Sequence, residues 1–331
     1  MANEILPPEA VYFNALGDYW RILTMRAVAE MSIADHLKDG PLAIDALADK
    51  SQAHPPTLYR VMRAMANAGF FIESPGKTFT LTPVGQFLRS DIPSSFRSMI
   101  LSEFEADRVP AWHNLPHSIR TGNVAFDKVY GKDVWQHYRE HPTQNEYFAK
   151  WMTQASRVSD QAIFAAFDFT PFKTVIDVGG GQGMFLTDLL DRYPASNAVL
   201  FDQPEVIALA PEHPSLRRVG GSFFESIPTG GDLYTMKWII HDWEESKALL
   251  ILQNIRKAMK PTSKLMLIEM LIKDGPEPDF VKWMDLNMLA IPGGQERTAD
   301  EYRQLLAQAG FKLDHVIATQ GMPTLLISAQ T

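Results

Sequence analysis

The sequence predicts a doubly wound α/β domain preceded by a mostly helical region with a winged-helix pattern. Three observations carry this. After Pro171, short β-branched apolar runs alternate with longer helical patterns, the order that builds a parallel sheet covered on both faces. One such run, Thr174-Val175-Ile176-Asp177-Val178, leads straight into Gly179-Gly180-Gly181-Gln182-Gly183 and then a helical pattern from Met184. That is the strand, tight turn and helix start of a nucleotide-type site. Between Leu42 and Leu81, two helical patterns are followed by two short strands, a helix–helix–hairpin order.

Composition sets the limits. A length of 331 residues allows one large domain or two smaller ones. With 46% hydrophobic and 21% charged residues, the chain is globular and buries a sizeable core. Lys and Arg number 31 against 39 Asp and Glu, for a net charge of −8. That speaks against a nucleic-acid partner, because phosphate neutralisation needs clustered cations. The absence of cysteine excludes disulfides, thiolate metal sites and cysteine nucleophiles, and fits a reducing compartment. The stretch Met1–Glu9 lacks the basic and apolar regions of a signal peptide. No apolar run approaches the roughly 20 residues of a membrane span. A cytoplasmic protein without a membrane partner is expected.

In chain order, Tyr12 to Leu37 is helical, with Leu16, Trp20, Leu23, Ala27, Met31 and Ala34 at spacings of three and four. That face packs either on its own domain or on a second subunit. Leu42–Lys50 and Pro55–Gly69 are two further helices, and Phe70–Leu81 makes two strands around Ser74-Pro75-Gly76-Lys77. The second of these helices offers only Arg60 and Arg63 as cations, too few to read a duplex. Phe96–Gln161 reads as several helices broken at Pro110, Pro116 and Pro142. Within it, His137 and His141 have the i, i+4 spacing of a metal pair. No acidic residue between them completes that motif, Pro142 follows at once, and no metal is expected. The α/β region then gives strands at Lys173–Val178, Asn197–Phe201, Leu216–Val219, Asp232–Ile240 and Lys264–Ile272. Helices follow at Glu244–Lys260, Phe280–Leu289 and Ala299–Ala309, and a closing hairpin at Phe311–Thr319 and Thr324–Ser328.

The glycine turn fits neither a dinucleotide nor a triphosphate. Third glycines at 184 or 186 are replaced by Met184 and Leu186, and no Lys-Ser or Lys-Thr follows. What stands there is Asp-x-Gly-x-Gly-x-Gly, from Asp177 to Gly183, the form seen in methyltransferases. Asp202 ends the second strand, where an acid accepts the ribose hydroxyls in related folds. The alternative for Asp202 is a turn-forming role before Gln203-Pro204.

Strand four ends in Met236-Lys237-Trp238-Ile239-Ile240-His241-Asp242-Trp243. His241 thus falls at the carboxyl end of a sheet strand, with an ordinary pKa near 6.5 that suits a general base. Asp242–Glu245 reads as a capping box, which accounts for Asp242 and Glu245 but not for His241. Glu269 ends the apolar run of strand five, where a lone carboxylate is costly unless paired or functional. Thr298 and Glu301 cap the next helix, which leaves Glu296 without a capping role. Carboxylates beside His241 orient it, raise its pKa and strengthen it as a base.

Asp177–Gly183, Lys237–Trp243 and Gly293-Gly294-Gln295-Glu296-Arg297-Thr298 together resemble the S-adenosylmethionine-dependent O-methyltransferases of the caffeic-acid and hydroxyindole type. The short loop Ala290–Gly294 is closer to their bacterial or fungal branch. The resemblance covers nearly the whole chain. It implies a Rossmann-like methyltransferase domain over 166–331, a winged-helix dimerisation domain over 1–105 that makes a homodimer, and a helical connector over 106–165 that contributes to the acceptor pocket. It implies that His241 deprotonates a substrate hydroxyl, flanked by Glu269 and Glu296, with no metal. Cofactor contacts would come from Asp177, Gly179, Gly181, Asp202 and Lys237, with Trp243 packing on adenine. The family usually carries Asp-Met where this chain has Ser222-Phe223, so a serine hydroxyl and a phenyl ring would serve the adenine. Phe148, Met152, Asp242, Met284 and Met288 are the implied contacts of a small aromatic acceptor. N- or C-methylation, a family member that binds the cofactor without methylating, and a ligand-sensing winged-helix regulator are the alternatives at this point.

Overall fold

A computed structural model describes residues 7–331; residues 1–6, which carry most of the signal-peptide reading, lie outside the described residues. The chain forms two compact units, one of residues up to Val109 with Thr143–Gln154, the other of Pro110–Pro142 with Ala155–Thr331. Among the described residues no helix is long and apolar enough to cross a membrane.

The first unit begins with α1 (Pro8–Glu30) and α2 (Ile33–His36), followed by β1 (Leu42–Ala43), α3 (Ile44–Ser51), α4 (Pro55–Asn67), β2 (Phe71–Ser74), β3 (Thr78–Leu81) and α5 (Arg97–Glu103). The helix expected over Tyr12–Leu37 is thus interrupted, because Ser32 adopts a left-handed φ of 54°. Arg97 binds across the break, donating to the Ala29 carbonyl at 2.9 Å and to Ser32 Oγ at 3.3 Å. Leu42-Ala43 is a strand rather than the start of a helix: it pairs with Phe79 and Thr78, so the hairpin is a three-stranded sheet. Val28, Ile33, Leu47, Met62, Phe71 and Phe79 form its core. The α1 residues Tyr12, Phe13, Leu16, Trp20 and Leu23 stay exposed.

Next in the chain come α6 (Arg108–His113), α7 (Leu115–Thr121), α8 (Ala125–Tyr130), α9 (Val134–Glu140) and α10 (Pro142–Ala166). Pro116 and Pro142 start helices, as the missing amide of proline favours. Pro110 does not break the chain but sits in the first turn of α6.

The second unit continues with β4 (Thr174–Val178), α11 (Met184–Arg192), β5 (Asn197–Asp202), α12 (Pro204–Ile207), β6 (Leu216–Gly220), β7 (Leu233–Lys237), α13 (Glu245–Ala258), β8 (Lys264–Glu269), α14 (Phe280–Ala290), α15 (Ala299–Gln308), β9 (Phe311–Ala318) and β10 (Thr324–Gln330). The seven-stranded order is β6-β5-β4-β7-β8-β10-β9, parallel except that β10 runs antiparallel to β8 and β9. Side chains alternate across it: Ile176, Val178 and Met236 face the layer of α13 and α15, while Val175, Leu233 and Met266 face that of α11. Strand order reverses between β4 and β7, so their carboxyl ends flank the crevice where open α/β sheets bind ligands.

Two local expectations are corrected. Strand four stops at Lys237 instead of running to Ile240, because Trp238 has φ 55° and turns the chain into a 3-10 turn over Ile240–Asp242. A left-handed tryptophan costs on the order of 1–3 kcal/mol, and such strain persists only where the surroundings fix it. The cap of α13 is Glu244, whose carboxylate accepts from the amides of Ser246 and Lys247, so Asp242–Glu245 is not a capping box. The Thr298–Glu301 box is present.

Candidate active site

The turn after β4 brings backbone close to its neighbours. Gly179 has φ 75°, and a Cβ there would lie 2.7 Å from Ile239 Cδ1; one on Gly180 would lie 2.5 Å from Asp177 Oδ2. The left-handed φ at Gly179 favours glycine there. Asp177 itself is buried and accepts from Thr235 Oγ1 at 2.6 Å, with its pKa pushed up to about 6 by burial, opposed by that bond. It braces the floor of the loop. Asp202 closes β5 with Oδ2 accepting from the Gly181 amide at 2.8 Å and Oδ1 from Gln203 at 2.7 Å. Burial raises it to about 6 as well, against both bonds. The Lys237 ammonium is held 2.5 Å from Asp160 Oδ1 on α10.

Beyond β6 an aromatic group gathers. Phe224 and Trp243 meet edge to face at 4.8 Å, Phe223 lies 5.8 Å from Trp243, and Trp135 lies 6.2 Å from it. Ser222 Oγ accepts from the Phe224 amide at 3.3 Å.

The strained exit from β7 delivers His241. The Ile240 and Ile239 amides donate to Glu269 Oε1 at 2.9 and 3.3 Å, which ties the turn to the end of β8. His241 Nδ1 stands 2.8 Å from Glu296 Oε1 and 3.8 Å from Glu269 Oε2. Its Nε2 lies 3.6 Å from Asp242 Oδ1. Ligand atoms of His241, Glu269 and Glu296 all fall within 4.8 Å of one another. Burial disfavours the imidazolium, but the charges of Glu269, Asp242 and Glu296 outweigh it and push the His241 pKa up to about 10. Burial likewise raises Glu269, to about 7, against the pull of His241.

The segment after α14 docks on this turn by backbone. Gly294 packs so closely that a Cβ would lie 1.9 Å from the His241 carbonyl oxygen. The Gln295 amide donates to that same oxygen at 2.9 Å.

The structure therefore brings His241, Asp242, Glu269 and Glu296 together beside the ends of β7 and β8, with Gly179, Gly181 and Asp202 in one loop-and-strand cluster and Ser222, Phe223 and Trp243 in another. Met288 is buried on α14 and its carbonyl accepts from Gly293, while Met284 is partly buried and accepts from Asn287 Nδ2 at 3.9 Å. Phe148 and Met152 lie on the part of α10 that belongs to the first unit.

Four contributors escape sequence reasoning: Asp160, Thr235, Asp285 and Arg297. Asp285 Oδ1 accepts from the Glu296 amide at 2.9 Å, which fixes the residue that binds His241. The available signals were an acid inside the apolar pattern of α14 and an arginine directly after Glu296. For Asp160, 77 residues from Lys237, no local signal exists.

Residues 112–312 match the O-methyltransferase domain family, and residues 13–91 the O-methyltransferase dimerisation domain. Phenazine O-methyltransferase PhzM of Lysobacter antibioticus is 36% identical over 321 residues, covering 95% of this chain and 94% of its own. Mitomycin biosynthesis 6-O-methyltransferase of Streptomyces lavendulae is 31% identical over 95% of this chain and 92% of its own. The crystal structure of LaPhzM superposes with a TM-score of 0.94 at 35% identity, covering 98% of this chain and all of that one. With both domains matched and relatives above 30% identity along nearly the whole length, the chain belongs to the S-adenosylmethionine-dependent O-methyltransferases of the caffeic-acid and hydroxyindole type.

Proposed function

We propose that this enzyme methylates a hydroxyl of a small aromatic natural product, with His241 as general base and without a metal. The observation that carries the reading is the buried His241–Glu296 contact at the carboxyl end of β7. With Nδ1 bonded to Glu296, Nε2 is the nitrogen left to take a proton.

The residues present suit the cofactor. At Gly181, with φ 59°, the space where a Cβ would stand is open, so a methionine and ribose chain would lie against the backbone there, and Asp202 would accept from the ribose hydroxyls. Phe223 and Trp243 would hold the adenine, with Ser222 Oγ as a polar contact. S-adenosylmethionine, when bound, supplies an electrophilic methyl on its sulfonium. His241 Nε2 takes the acceptor's proton, Glu296 keeps the ring oriented through Nδ1, and Glu269 adds its charge while it fixes the Ile239–Ile240 backbone. Positioning then supplies much of the acceleration. Glu296 Oε1 is engaged by the imidazole and Glu269 Oε1 by two backbone amides, while the second oxygen of each carboxylate has no hydrogen-bond partner among the described residues, so turnover in EDTA bears directly on metal-free use.

Relatives support an aromatic acceptor. They include phenazine and mitomycin O-methyltransferases and a 3-amino-4-hydroxybenzoate 4-O-methyltransferase that is 32% identical. An 8-amino-8-demethylriboflavin N,N-dimethyltransferase is 33% identical, so amines belong in the test. Met284 and Met288 are proposed as adaptable apolar contacts for the ring, and Asp242 as a polar one. The test is a mass-spectrometric screen of hydroxy- and aminoarenes with S-adenosylmethionine in EDTA. One methyl gained on a phenolic oxygen supports the reading. Products from amines alone, or turnover that EDTA abolishes, overturn it.

The dimerisation domain leaves Tyr12, Phe13 and Trp20 of α1 exposed, and we infer a homodimer that buries them. Sedimentation should return twice the 37.2 kDa chain mass; a monomer at micromolar concentration refutes it.

The raised His241 pKa has a kinetic sign. Only the neutral imidazole accepts a proton, so kcat/KM should rise with pH along a limb above the ordinary value of about 6.5. E269Q and E296Q each remove a charge that holds the proton on, and should move that limb to lower pH. A limb that stays in place in both variants contradicts the electrostatic account.

A further inference from the structure

Arg297 has the largest fully buried side chain among the described residues. A buried guanidinium costs several kcal/mol unless its donors find acceptors. Among the described residues it forms no ion pair; carbonyl oxygens hold it instead. Nη1 lies 3.2 Å from Gln295 O and 3.4 Å from Ile240 O, and Nη2 lies 3.5 Å from Trp243 O. The Tyr302 ring of α15 packs beneath it at 5.7 Å. Ile240 and Trp243 are the residues on either side of His241-Asp242, so one planar fork spans the turn that carries the imidazole.

The neighbouring contacts follow the same design. Gln295 N holds His241 O, Glu296 holds His241 Nδ1, and both adjoin Arg297 in sequence. Resting on the reading of His241 as the base, we propose that Arg297 is a positioning residue that sets the imidazole against Glu296 by clamping the Ile240 and Trp243 carbonyls. Lysine, a point charge, cannot bridge both carbonyls as a planar fork does. Glutamine is shorter and carries no charge.

The experiment reads the His241–Glu296 contact directly, by proton NMR of the full-length protein at neutral pH. Wild type should show a downfield imidazole N–H resonance that H241Q removes. R297K and R297Q should lose that resonance or broaden it severalfold, while S-adenosylmethionine binds within about twofold of wild type. Either variant keeping the resonance at wild-type position and width overturns the proposal. Loss of the resonance together with a more than about tenfold loss of cofactor affinity makes the guanidinium a general scaffold element, which also overturns it. So does failure of both variants to fold. A wild-type spectrum with no proton removed by H241Q overturns the His241–Glu296 contact itself, and so separates failure of the base reading from failure of this one.

Discussion

H241Q loses methyl transfer by about 10²–10⁴-fold and binds S-adenosylmethionine within about twofold of wild type. The substitution removes the imidazole beyond the end of β7, and glutamine keeps a hydrogen-bonding group near Glu296 without a basic nitrogen. Apart from Trp243, the cofactor contacts argued for the site come from the ends of β4, β5 and β6, and the substitution leaves the backbone that carries Trp243 in place, so they survive it. Calorimetry of cofactor binding together with initial rates on a product-yielding acceptor measures both halves. Wild-type turnover in H241Q removes the base assignment.

G294A produces the second large effect. Its new Cβ would sit 1.9 Å from the His241 carbonyl oxygen and 2.4 Å from the Asp242 carbonyl carbon. Both obstacles are backbone, so no side-chain rotation relieves them. The 293–298 segment and the His241 turn must move apart, which weakens the Gln295 and Glu296 contacts together. Turnover should fall at least about 10²-fold, since small misplacements at a reacting centre carry such costs. Thermal unfolding should show a loss of about 1–3 kcal/mol, the scale of an overpacked core position. Near-normal turnover would mean that the docking of the two segments does not matter to the chemistry.

The parts of the site that were legible in the sequence are those whose signals are local. Asp177–Gly183 is readable because strand, turn and helix start are contiguous. His241, Glu269 and Glu296 stand out because apolar patterning and capping leave them unexplained. Where the fold departs from the sequence pattern, the reasons are physical. Asp242 and Glu244 are both competent caps, and the choice fell to Glu244 because the 3-10 turn consumed Asp242. The left-handed Trp238 is invisible locally: a tryptophan after an apolar strand reads as more strand. Leu42-Ala43 became a strand only because Phe79 and Thr78 arrive beside it. Asp160, Asp285 and Arg297 act through partners distant in sequence or through carbonyl groups, which leave no pattern in the chain.

The most direct test of His241 as general base varies the acidity of the acceptor. Wild type and H241Q are compared on a ring-substituted series of one product-yielding phenol, from an ordinary pKa near 10 to values below the assay pH. A phenol that enters already ionised needs no base. The account predicts a gap of about 10²–10⁴-fold for the least acidic member that closes toward unity for the most acidic. A gap that stays constant across the series would contradict it.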